Sequence, residues 1–177
     1  MRFGHIDGNL SLNQDRYGVC IHEAAQTAVA FRLYHYEGHP ECGVTDNNNG
    51  YIKLEFSALD ATPRDRAVVA LAGPVAEFKW GSLNDNFYVW CAANRERARR
   101  RLDGDSDLAD DMSVALDEAR KAEGPQQQLE LFEQWTVAAG TLISKMWDEI
   151  IQIANDLYDA GYMAGKSKST VRGDSAH

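Results

Sequence analysis

The sequence predicts a mainly α-helical domain carrying one small β-hairpin. Three observations point there. Apolar residues recur at three- and four-residue intervals through most of the chain, helix-start signatures separate those stretches, and turn chemistry with an alternating run fills one short window only. At 177 residues the chain is long enough for a single domain with a sizeable core, taken as residues 1–165. The small polar tail, 166–177, is expected to be disordered.

Ser11-Leu12-Asn13-Gln14 has capping-box spacing, so a first helix is expected from there to about Tyr36. Within it Val19, Ala25, Val29, Ala30 and Leu33 keep helical spacing, and His22 and Gln26 fall inside that stripe, facing the core or a cleft. Between Tyr36 and Asp60 the pattern changes to turn residues flanking Gly43-Val44-Thr45 and Tyr51 to Phe56. Asn49-Gly50 between them predicts a tight hairpin turn.

Thr62-Pro63-Arg64-Asp65 marks the next helix, with an N-cap hydroxyl, Pro at the first position and an acid in the first turn; it should run to about Trp80, kinked by Pro74 after Ala70. Phe87 to Ala93 reads as helical and leads into five arginines, Arg95, Arg97, Arg99, Arg100 and Arg101. Such a run is a solvated face answered by Asp103, Asp105, Asp107, Asp110 and Asp111. A further helix is expected from Ser106 to about Ala122, ended by Glu123-Gly124-Pro125. A last long segment from Gln126 to about Ala164 carries Phe132, Trp135, Ala139, Leu142, Met146, Ile150, Ala154 and Leu157 on one stripe, with Gly140 as its point of division. That stripe is either core or the surface of a homo-oligomer.

The net charge of −9 argues against nucleic acid and against anionic membrane surfaces as general partners. Three cysteines with no paired spacing suit a cytoplasmic, reducing compartment, and no signal core or membrane span is expected. Ala160 to Ser167 fits a relaxed phosphate-loop pattern without the strand and helix that such a loop needs. Asp103 to Asp107 imitates a calcium loop, but Leu108 stands where that loop needs Gly.

The chemistry gathers at His22-Glu23-Ala24-Ala25-Gln26. In His-Glu-x-x-His, two imidazoles four residues apart share a helix face and bind zinc, and the Glu polarises the metal-bound water; here Gln26 occupies the second imidazole's place. A neutral amide oxygen is a weak donor for zinc. His35 and His39 lie farther along as conceivable replacements, and Cys20 points to another face.

This block, followed by Gly43-Val44-Thr45, by Val69 to Gly81 with its Ala76-Glu77 pair, by Ser106-Asp107-Leu108 and by Ile153-Ala154-x-x-Leu157, resembles the peptidase domain of the membrane-anchored AAA+ zinc proteases known as FtsH. The resemblance covers roughly residues 15 to 166, without the ATPase and membrane parts. It implies a helical zinc metallopeptidase fold acting on peptide or protein. On these positions His22 matches the first metal ligand, Glu23 the catalytic base and Asp107 the third ligand, with Gln26 at the second; Glu77 looks like a helper or structural acid. The same resemblance leaves open a catalytically degenerate relative that binds peptide without cleaving it.

Overall fold

Ala, Val, Cys and Ile crowd the middle of the first helix, and they fix its place. In the computed structural model, which describes residues 14–34, 41–45, 49–53, 61–82, 85–104 and 108–163, α1 (Gln14–Leu33) buries Cys20, Ile21, Ala24, Ala25, Ala28, Val29 and Ala30 at 1% exposure or less. Glu23, Gln26 and Thr27 on the remaining side are buried as well, so the middle of α1 is enclosed on all sides.

Its neighbour α2 (Pro63–Gly81) is buried without interruption from Ala67 to Ala76. Small side chains on both let the two axes approach closely, and α1 against α2 forms the centre of the core. The start of α2 follows its sequence signature: the Asp65 N–H donates to Thr62 Oγ1 (3.1 Å) and the Thr62 N–H to Asp65 Oδ2 (3.3 Å), a reciprocal cap. The helix runs on through Pro74, which cannot donate to the carbonyl of Ala70.

Around this pair stand α3 (Phe87–Leu102), α4 (Asp110–Glu123), α5 (Gln128–Lys145) and α6 (Trp147–Ala160). α4 and α5 pack on α2, α6 packs on α1, and α3 lies against α5. Burial pushes the Glu118 carboxyl of α4 up, but hydrogen bonds from Arg66 (2.7 Å) and Lys121 (2.6 Å) outweigh it and hold that carboxyl below its ordinary range. The stripe of Phe132, Trp135, Ala139, Ile150, Ala154 and Leu157 is core. Among the described residues no helix is long and apolar enough to cross a membrane, and the three cysteines are free and buried.

Two expectations are corrected. The final segment divides at Met146, not at Gly140. Gly140 is small because a side chain there would collide with the Phe87 ring. The hairpin does not turn at Asn49-Gly50: β1 (Glu41–Val44) pairs antiparallel with β2 (Gly50–Lys53), Gly50 sits in the strand opposite Val44, and the Thr45 N–H donates to the Asn49 carbonyl (2.9 Å).

The hairpin also has a third partner. Gly161, in a left-handed conformation (φ 76°), ends α6, and β3 (Tyr162–Met163) pairs antiparallel with β1, giving the order β2-β1-β3. α4 begins at Asp110, and the expected start at Ser106, together with Asp107, lies outside the described residues, as do His35, His39, residues 54–60 and the tail.

Candidate functional site

His22 reaches the site because α2 lacks a side chain where the two central helices meet. At Gly73 a Cβ would collide with His22 Nε2, so only glycine leaves room for the ring. β2 makes the same allowance for Glu23, whose Oε1 would meet any Cβ at Gly50. Both residues of the sequence motif thus lie against backbone that has been stripped to receive them.

The imidazole is held from both sides. Nδ1 lies 3.0 Å from Glu77 Oε1 on α2, and Nε2 lies 2.8 Å from Asp111 Oδ2 in the first turn of α4. Burial alone would lower its pKa; the hydrogen bonds to Asp111 and Glu77, and their charges, reverse that and raise it to about 10. Without a metal, His22 is therefore an imidazolium that donates to both carboxylates.

Gln26 stands one turn along the same helix face. Its Nε2 is 3.2 Å from His22 Nε2 and 3.4 Å from the Ala70 carbonyl. That carbonyl is the one that Pro74 leaves without its helical donor. The amide accordingly has a second task, bridging α1 to the proline-interrupted turn of α2.

Glu23 is 7% exposed, and its Oε2 is buried with no hydrogen-bond partner. Burial pushes its carboxyl up to about 7, with the His22 charge opposing and those of Asp111 and Glu77 adding to the rise. A carboxyl raised from about 4.5 costs the fold nothing while both states are protonated, increasingly more between about pH 4.5 and 7, and the full amount above. A shift of this size corresponds to about 3 kcal/mol, part of it offset when a buried amide replaces the acid. Glu23→Gln is therefore expected to stabilise the metal-free chain by about 1–2 kcal/mol at pH 8 and not at pH 4. Urea titrations at both values check this, and an equal gain at both would refute it.

Zinc is the ion that the resemblance implies, and the donors can be compared with its needs. An imidazole whose Nδ1 is held by a carboxylate, with Nε2 left for the ion, is the usual posture of a metal-bound histidine. Asp111 supplies a carboxylate beside that Nε2, and Glu23 supplies an unpartnered acceptor next to it in the chain. The third neighbour is the Gln26 amide. Among the described residues no three His, Cys, Asp or Glu side chains form a group able to hold a metal ion. As placed, the set offers zinc two strong donors, His22 and Asp111, while Gln26 presents its amide nitrogen and would have to turn over to bring its oxygen to an ion.

Of the residues named from sequence, His22, Glu23 and Gln26 come together, and Asp107 lies outside the described residues. Asp111, read from sequence as one of the acids answering the arginines, is the carboxylate on His22. Glu77 gains a definite role as the partner of Nδ1. The cluster opens on a cleft of about 460 Å³ between α2, α3 and α4, and on a smaller hollow of about 240 Å³ bordered by Asn49 and Gly50. No protein-family model matches the chain, and no curated protein matches it.

Proposed function

We propose that this chain is a zinc-metallopeptidase-like protein with a weakened metal site, acting on peptide or protein. The observation that carries the reading is His22 held at Nδ1 by Glu77, with its Nε2 beside Asp111 and the buried, unpartnered Glu23 adjacent. His22 and Asp111 would hold the ion, with Gln26 as the weak third donor; Asp107 is the alternative acid that the sequence offers. A zinc ion there would supply Lewis acidity and lower the pKa of water to near neutrality.

The chain's own residues do the rest. Glu77 fixes the imidazole's orientation. Glu23, buried beside His22 with Oε2 unpartnered, would accept a proton from water and return it to a leaving amine. An extended peptide would add to the edge of β2 that β1 does not take, beside Glu23.

One observation favours the non-cleaving alternative: Gln26 not only replaces an imidazole but is bonded to the Ala70 carbonyl, a structural use for the substituted residue. Zinc titration of the chain, followed by peptide hydrolysis, separates the two. The metallopeptidase reading expects about one zinc per chain, lost in His22→Ala and in Asp111→Ala, and hydrolysis lost in Glu23→Gln. Loss in Asp107→Ala instead would move the third ligand to that residue. Absence of binding at excess zinc sinks the metal reading, and peptide binding without turnover at saturating zinc establishes the alternative.

A further inference from the structure

We propose that Arg97 makes the cleft beside His22 a carboxylate-recognising site, selecting peptides that carry an anionic group, either a C-terminal carboxylate or an acidic side chain. This rests on the reading of the chain as a protein that acts on peptide, and places part of that peptide in the cleft. α3 presents Trp90, Asn94 and Arg97 to it at helical spacing of four and three. Asn94 is 1% exposed, and its side-chain amide donates to the Trp90 carbonyl (3.0 Å), which turns Oδ1 outward to accept from Arg97 Nη1 (3.2 Å).

A neutral oxygen positions the guanidinium without cancelling its charge. Its neighbours differ: Arg95 is answered by Glu133 (2.9 Å), and Arg99 by Glu96 (2.7 Å) and Asp103 (2.8 Å).

The other charged groups lining the cleft are Glu77, Asp110, Asp111 and His22. The three carboxylates repel an anion, and His22 is committed to two of them. An anionic ligand is therefore accepted only at the Arg97 end, where the guanidinium offers the paired N–H geometry that a carboxylate fits. Between lies an apolar surface that includes the stacked rings of Phe78 and Trp90, with centroids 5.0 Å apart. A peptide can lie across it with its anionic group on Arg97 and a backbone amide toward the His22 cluster.

The test uses the full chain carrying Glu23→Gln, free of metal, so that neither zinc content nor turnover enters. Binding of N-acetyl-trialanine as the free acid, of its C-terminal amide, and of amidated peptides carrying one Glu or one Gln is followed by tryptophan fluorescence and by the Arg97 side-chain N–H resonance. The free acid, the Glu peptide or both are expected to bind roughly tenfold more tightly than their neutral counterparts, and which of them does identifies the source of the carboxylate. Arg97→Gln should erase the preference, Arg97→Lys should keep part of it, and Arg100→Gln, on the exposed face, should leave it intact. Equal affinity for acid and neutral peptides, a preference that survives Arg97→Gln, or no binding by any of them overturns the proposal. A failed zinc titration would show in that experiment alone.

Discussion

Replacing Gln26 by histidine raises the affinity of the chain for zinc by about 10- to 100-fold, the range by which outer-shell partners alone alter metal sites. The position is already correct: Gln26 shares the face of His22, and its amide end lies 3.2 Å from His22 Nε2. An imidazole there converts the weakest donor into one that zinc prefers. The same change removes the donor to Ala70, so the metal-free variant is expected to be less stable by about 1 kcal/mol.

Pro74→Ala restores a backbone N–H for that carbonyl. Added to Gln26→His it should recover the lost stability without changing the zinc gain, so the two effects of residue 26 can be told apart by a double-mutant cycle. Competition against a chromophoric chelator gives the affinity, and thermal melts with and without zinc give the stability. Unchanged zinc affinity would mean that His22 and residue 26 do not serve one ion.

Gly73→Ala is expected to destroy the site while leaving most of the helix intact. In an ordinary helix interior, glycine to alanine stabilises by about 1 kcal/mol. Here the added methyl occupies the place of the His22 ring. A free side chain would swing aside, but this ring is pinned at both nitrogens, and moving it breaks the contact to Glu77 or to Asp111. The variant should lose about 1–3 kcal/mol by overpacking, and zinc binding with it. Circular dichroism should still report a helical chain, and stabilisation with intact zinc binding would contradict the close approach.

Much of this fold is written in local chemistry. Thr62, Pro63 and Asp65 announce α2 because capping acts within four residues, and Glu123-Gly124-Pro125 ends α4 for the same reason. What is decided across the fold was less legible. Gly140 looks like a helix breaker until Phe87 is seen against it. β3 is two residues long, too short to show a period, and exists because β1 lies beside the end of α6. At the site, spacing along one helix placed His22, Glu23 and Gln26 together. It could not say that Asp111 would turn to His22, since that depends on where the start of α4 meets α1. Nor could it link Gln26 to Pro74, two local irregularities that become one hydrogen bond only when α1 and α2 are packed.

The pairing of β3 with β1 ties the assembly of the site to the order in which the chain is made. Glu23 is synthesised early, yet it is walled by Gly50 of β2, whose partner β1 takes its other neighbour from residues 162–163. A nascent chain that has emerged only to Ala160 contains every side chain of the His22 cluster but lacks the strand that pairs with β1 on the side away from β2. The His22 cluster therefore takes its final setting only once residues 162–163 have joined β1, and a chain made only to Ala160 presents Gly50 on a hairpin of two strands instead of a sheet of three.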